Sequence, residues 1–377
     1  MLIFAAILAI FVYGMIAAML GTILPDLSDR FHLTPTQNGT IAFSQALGLI
    51  IASVGVGPLL DTQGDKVGLI LGLAFIAVAL FLLPRSKGFV SIVVLLFLLG
   101  VGGGIVVTGA NALVSGVSEA HRATALNLVN LFFGLGGLAT PFISANLFKR
   151  NWVKLCYTVA SLTVVALAIQ AATHMPAPTG AGGFVLAEAG PVLGRPLLFL
   201  LGFLLFLYVS CEVGVWNWLP RHLIAQGIPE SKALNILSLG FALGLLIGRV
   251  AVSPILLGVP AVIVTLASSV AMAVTTYLML KTSKPTVAFV LVFIAGVSMA
   301  PVFPTTLAMV GNAFPRMSGT AIGFAITCGW AGLAVSSRLI GAIAGDDPAR
   351  LKKALLLIPG AAVLMVGVNL VIWAGIL

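Results

Sequence analysis

Residues 196–219 read PLLFLLGFLLFLYVSCEVGVWNWL, twenty-four positions carrying one charge, Glu212. Wound as an α-helix, such a run is about 36 Å long at ~1.5 Å per residue, enough to cross a ~30 Å hydrocarbon layer. The pattern recurs along the whole chain. Of 377 residues 60% are apolar and only 8% charged, whereas ordinary soluble domains carry about a quarter charged residues. A soluble enzyme fold is therefore excluded, and roughly 31 residues per span and loop leaves room for about twelve helices and little else.

Moving outward from that run, the hydrophobic stretches fall at about Leu2–Leu24, Gly39–Leu60, Val67–Leu83, Phe89–Val117, Thr124–Phe148 and Val153–Thr173 on its N-terminal side. After the run itself come about Ala233–Leu257, Val259–Leu280, Thr286–Ala313, Thr320–Ala344 and Ala354–Leu377. The longest break, residues 174–195, is rich in Pro, Gly and Ala. It divides the chain into an N-terminal six-helix bundle (1–173), a central linker (174–195) and a C-terminal six-helix bundle (196–377). The predicted class is an all-α membrane protein of twelve transmembrane helices. Its hydrophobic N-terminus lacks a basic leader and reads as a first span rather than a cleaved signal.

The halves echo each other. Residues 134–139, GLGGLA, reappear as GWAGLA at 329–334, and Thr124-Ala125 matches Thr320-Ala321. Spans 4 and 10 carry polar stretches in corresponding places, TGAN at 108–111 and PVFPTT at 301–306, which predict interrupted helices. Repeated halves with broken helices point to a transporter's central site.

The formal charge of +9 would suggest nucleic acid in a soluble protein, but the nineteen Lys and Arg are scattered among the loops. Contact with membrane lipids is the better reading, with no nucleic-acid partner. The glycines at 102–104 follow no strand and lack a Lys-Ser/Thr partner, so they read as close helix packing rather than a phosphate loop. No HExxH, strand-borne GxSxG or His/Cys metal set occurs. Cys156, Cys211 and Cys328 lie singly in apolar runs. The chain is expected to be no enzyme and to need no metal or cofactor.

Charges inside spans are costly and need a partner, water or a job. Glu212, Arg249 and Arg338 are the candidates for coupling or structural pairing. Tyr208 and Trp216 lie four residues on either side of Glu212, placing a phenol, a carboxylate and an indole on one helical face. Gln45, Asn111, Asn127 and Asn130 add amides that can donate and accept toward hydroxyls, or else bond helix to helix. Trp330 and Tyr13 are further candidates for ring stacking. All are expected to converge on a hydrophilic pocket between the halves.

Between spans 2 and 3 stands Gly57-Pro-Leu-Leu-Asp61-Thr-Gln-Gly64-Asp-Lys66. It resembles the loop signature of the major facilitator superfamily, with Gly57, Leu59, Asp61, Gly64 and Lys66 matching. Thr62 and Asp65 stand where that signature has basic residues. Residues 108–141, YVSCEVGVWNW at 208–218 and IGR at 247–249 resemble the fucose–glucose–galactose permease branch. That resemblance implies a multi-pass inner-membrane carrier of a monosaccharide, monomeric, working by alternating access with a proton or sodium ion. The branch's acids in spans 1 and 4 are replaced here by Gly21 and Val107, which leaves Glu212 as the embedded acid able to host coupling.

The family topology puts even-numbered loops in the cytoplasm. Yet those loops hold Lys66, Arg122, Arg195 and Arg316, while the odd-numbered loops hold Arg85, Lys87, Lys149, Arg150, Lys281, Lys284, Lys352 and Lys353. The charge count alone would invert the molecule; the loop signature is given precedence. Export of an amphipathic drug or lipid, and a sensor that binds solute without moving it, are the alternative readings.

Overall fold

The computed structural model describes residues 1–117, 120–149, 151–175, 186–345 and 348–375. Among these, twelve helices are long and apolar enough to cross a membrane. They are α1 (Leu2–Phe31), α2 (Thr36–Gln63), α3 (Asp65–Arg85), α4 (Phe89–Val117), α5 (Arg122–Leu147) and α6 (Trp152–Ala172), then α7 (Pro196–Ala225), α8 (Ser231–Ile255), α9 (Ala261–Met279), α10 (Pro285–Ala313), α11 (Pro315–Ala344) and α12 (Arg350–Gly375). No strand occurs among the described residues. The twelve spans and their order match the reading of the hydrophobic runs.

Two helices extend further than hydropathy indicates. α1 continues through Pro25, Asp26 and Asp29 to Phe31, and α7 continues through Pro220 to Ala225. Hydropathy ends where apolar side chains end, but backbone hydrogen bonding continues through polar residues at a membrane interface. Helical bounds consequently take in more acids than hydropathy indicates, with Asp26, Asp29, Asp61 and Asp65 all inside them. Within the central break, residues 186–193 form a short helix; 176–185 lie outside the described residues.

The polar stretches of spans 4 and 10 behave differently from each other. α4 is continuous, because Asn111 Nδ2 donates to the Val107 carbonyl at 2.8 Å inside the helix and breaks nothing. α10 is two segments, Pro285–Met299 and Val302–Ala313. Pro301 and Pro304 lack the N–H that would continue the ladder. Wider π turns occur at Ile143–Leu147 in α5 and Ile236–Ala242 in α8.

The chain forms two compact units. The first comprises Met1–Ser118, Val129–Leu193 and Phe314–Phe324; the second comprises Glu119–Leu128, Gly194–Ala313 and Ala325–Leu377. Their limits differ from a simple halving, since the starts of α5 and α11 change places.

In the first unit α4 is the central helix, packed on α1, α2 and α3. Its three successive glycines each admit a different neighbour. A Cβ on Gly102 would meet Gly72 and Ile76 of α3, one on Gly103 the Tyr13 ring of α1, and one on Gly104 Leu49 and Ala52 of α2. Small residues let backbones approach where lipid supplies no hydrophobic drive. In the second unit α12 packs on α7 and α9, and α8 on α10. Asn369 of α12 accepts from the Thr265 hydroxyl at 2.6 Å and donates to Ser269 at 3.2 Å, tying α12 to α9.

The GLGGLA repeat occupies equivalent seams. A Cβ at Gly136 of α5 would collide with the Phe11 carbonyl of α1, and one at Gly332 of α11 with the Phe206 carbonyl of α7. Beside each, a hydroxyl spans the seam. Thr140 of α5 donates to the Met15 carbonyl at 3.0 Å, and Ser210 of α7 donates to the Gly332 carbonyl at 3.1 Å.

Candidate functional site

The signature between α2 and α3 is a structural device. Gly64 sits at φ +87°, a conformation that favours glycine, and lets the chain reverse directly from one helix into the next. Asp61 is buried and accepts from the Gly319 and Thr320 amides at 2.9 Å each and from the Thr320 hydroxyl at 2.5 Å. Its carboxylate thus caps the N-terminal end of α11, where amide donors are unpaired and the helix dipole favours a negative charge. Gly57 permits this approach, because a Cβ there would press on the Thr320 backbone. Lys66 donates to the Ala171 and Thr173 carbonyls at 2.6 and 3.0 Å, closing the C-terminal end of α6.

The sequence-predicted ligand residues divide between the two units. In the first, Asn130 of α5 donates to Asn111 of α4 at 2.7 Å, and both are buried. One turn on, Phe133 stacks on Tyr13 of α1 with ring centroids 5.2 Å apart. These side chains bring α1, α4 and α5 to one locus. Gln45 is half-buried on α2 and makes no side-chain hydrogen bond with the described residues. Asn127, three residues before Asn130, belongs with the second unit, where its Nδ2 donates to the Thr305 hydroxyl of α10 at 3.0 Å. The two amides on one face thus reach different helices, Asn130 bonding α4 and Asn127 bonding α10.

The second unit holds the charged groups. With α7 extended to Ala225, Glu212 is the seventeenth of its thirty residues, near mid-helix. It is half-buried, and both its carboxylate and the buried Arg249 guanidinium of α8 lie within electrostatic reach of the Tyr208 hydroxyl. Tyr208 is fully buried and tilts against Phe303 of α10 at 6.3 Å. Its hydroxyl forms no hydrogen bond of ordinary geometry, so its nearness to Glu212 is a close approach rather than a bond. Trp216 is half-buried and meets Phe241 of α8 edge-on at 5.2 Å. Trp330 is half-buried on α11, and its indole N–H has no partner among the described residues. Arg338 is exposed, within two turns of the end of α11, where water can meet its charge.

Sequence reasoning passed over Ser53, and met Thr108, Thr305 and Thr306 only within polar stretches. The Thr306 hydroxyl and the Asn127 Oδ1 are buried without partners among the described residues, as are the Thr108 hydroxyl of α4 and the Ser53 hydroxyl of α2. Buried polar groups are ordinarily satisfied, so the unpaired ones in each unit are places where a polar solute or water can be accommodated. The signal available was the run of Thr beside the proline break. The three cysteines are unpaired, with Cys156 and Cys211 buried. No group of three or more metal-ligating side chains occurs among the described residues.

Comparison with known proteins agrees with this architecture. Over 375 aligned residues the chain is 25% identical to a glucose/mannose transporter, GlcP, of Bacillus subtilis, covering 95% of this chain and 91% of that protein. It is 26% identical over 262 residues to a glucose/galactose transporter of Brucella abortus, covering 64% and 63% respectively. Among solved structures, FucP in the outward conformation superposes with a TM-score of 0.85 at 17% identity, covering 97% of both chains. The proton:xylose symporter XylE superposes at 0.78 and 15% identity, covering all of this chain and 95% of that one. At such identities these likenesses speak for the fold. Residues 6–337 match the family model of the Major Facilitator Superfamily, and the chain is accordingly a multi-pass membrane protein of that transporter family, not an enzyme.

Proposed function

We propose that this protein is a secondary transporter of a monosaccharide, moved by alternating exposure to the two sides of the membrane. Residues 1–173 and 196–377 are the repeated halves and 174–195 their connection. The carrying observation is the second unit's combination of aromatic faces with buried polar atoms unpaired among the described residues, one of which, the Tyr208 hydroxyl, stands beside Glu212. Trp216 and Trp330 offer ring planes, while the Tyr208 and Thr306 hydroxyls, the Trp330 N–H and Asn127 Oδ1 offer donors and acceptors. A hexose has both requirements, an apolar C–H face and a rim of hydroxyls. In the first unit Tyr13, Asn111, Asn130 and Gln45 fill the same roles. The named substrates of the sugar-transporting relatives support the reading.

Glu212 is assigned to a hydroxyl, to a coupling H+ or Na+, or to both in competition, and Arg249 to tuning that carboxylate. Each ligand then alters the other's affinity reciprocally. The protein works as a monomer in the inner membrane, surrounded by lipid, with the even-numbered loops in the cytoplasm.

Solute counterflow in proteoliposomes against a panel of monosaccharides, with and without sodium and a pH gradient, tests this. Exchange of a labelled hexose well above that of empty liposomes is expected. Exchange of a lipophilic cation but of no sugar, or sugar binding without exchange, would defeat the proposal. For orientation, cysteines placed at Lys66 and Lys87 should differ, with only Lys87→Cys reacting from outside.

A further inference from the structure

Away from these groups, α3 and α6 leave a groove of about 670 Å³ on the surface of the first unit. Its walls are apolar, formed by Val78 and Phe81 of α3 and by Ala160, Ser161 and Val164 of α6. Small side chains at 160 and 161 keep it open. From Tyr157 to Val164 it follows the helix for about 10 Å at ~1.5 Å per residue.

One end of the groove is closed by a fixed cation. Arg85, the last residue of α3, donates from Nη1 to the Phe81 carbonyl at 2.6 Å. Its guanidinium stands 4.2 Å from the Phe81 ring centroid and 5.4 Å from that of Tyr157, so two aromatic faces hold it in place. The carbonyl engages one of the group's five N–H donors. The surrounding helix ends are basic as well. Arg30, at the end of α1, lies 5.4 Å from the Trp152 ring at the start of α6, and Lys87, Lys149 and Lys154 occupy the adjoining turns. Asp26 and Asp29 are the carboxylates at that end of α1.

We propose that this groove binds an anionic phospholipid, with an acyl chain along Ala160–Val164 and the headgroup phosphate on the Arg85 guanidinium. Both halves of the ligand are specified by chemistry. A fixed planar guanidinium matches phosphate oxygens two at a time, and an apolar groove opening toward hydrocarbon suits a chain rather than a free ion. The basic rim selects against zwitterionic lipids, whose ammonium would face the same cations. A lipid there would tie α3 to α6 at the end opposite the Lys66 clamp. It would also give the odd-numbered loops' cations a purpose independent of membrane orientation.

The test is native mass spectrometry of the full protein released from nanodiscs of equal phosphatidylglycerol and phosphatidylcholine. The parent should retain phosphatidylglycerol at least tenfold over phosphatidylcholine. Arg85→Gln should lower that retention at least fivefold, and Ser161→Phe, which fills the groove but leaves the cation, should lower it comparably. Should Arg85→Gln fail to fold, Arg85→Lys replaces it, with the charge kept but the stacked fork lost, and a clear fall is still expected. Inorganic phosphate at millimolar concentration should leave retention unchanged. Equal retention of the two lipids, unchanged retention in the variants, or displacement by phosphate alone would each overturn the proposal.

Discussion

α1 and α7 share a sequence frame. At an offset of 195, Phe11 corresponds to Phe206 and Tyr13 to Tyr208, while the glycines that meet the two phenylalanine carbonyls, Gly136 and Gly332, stand 196 apart. One and two turns further on, the correspondence ends. Where α7 carries Glu212 and Trp216, α1 carries Ala17 and Gly21. The frame recurs, while the acid and its neighbouring indole stand on one side only. The seams at the ends of α2 and α8 repeat the lesson. Thr320 meets the buried carboxylate of Asp61, whereas its counterpart Thr124 donates to the Ser253 carbonyl at 3.0 Å. Packing positions tolerate little change because close-packed backbones leave no slack, so the repeat survives in glycines and is lost in ligands.

The largest effect expected is on the shared frame. Gly136→Ala and Gly332→Ala each set a methyl against a backbone carbonyl, and each should cost about 3 kcal/mol. Thermal unfolding of the detergent-purified protein measures it. Similar losses in the two variants support a duplicated frame; if one is tolerated, the seams are not equivalent.

Next comes the carboxylate that only α7 carries at this position. Glu212→Gln should lower sugar counterflow at least tenfold, equivalent to about 1.4 kcal/mol, without loss of folded protein. Ala17→Ser, at the corresponding position of α1, should leave the rate within about twofold. An undiminished rate in Glu212→Gln removes that residue from the mechanism.

A smaller difference separates the two helix-end seams. Asp61→Asn weakens a charge-assisted cap and should destabilise by about 1–2 kcal/mol. Thr124→Val, which loses a neutral hydrogen bond, should cost about 0.5–1 kcal/mol. Denaturation midpoints of the pair decide whether the carboxylate is the stronger fastener. Smallest of all is the Asn111–Asn130 bond, whose coupling in a double-alanine cycle should be about 0.6 kcal/mol. A coupling several times larger would show that the pair organises α4 and α5 rather than waiting for a solute.

The spans were legible because hydropathy reports directly on the solvent a helix must cross. Helix ends were less so, as α1 and α7 show, since a polar residue at an interface costs nothing that composition can register. Glu212 could be found as an isolated charge in an apolar run. The separate fates of Asn127 and Asn130 could not, because three residues on one helix face can meet different neighbours, and tertiary packing alone decides which. The same count found Arg338, which is exposed near its helix end.

The break in α10 reaches further than its own helix. Pro301 supplies no amide to the Val297 carbonyl, and it is against Val297 and Ala300 that Gly248 of α8 lies, so closely that a methyl there would have no room. The next residue along α8 is Arg249. The height and heading of that guanidinium are thus inherited from a joint in a neighbouring rod, and straightening the joint would swing the cation away from Tyr208. Proline and arginine, distant in the chain, are thus linked through the contact of Gly248 with Val297 and Ala300.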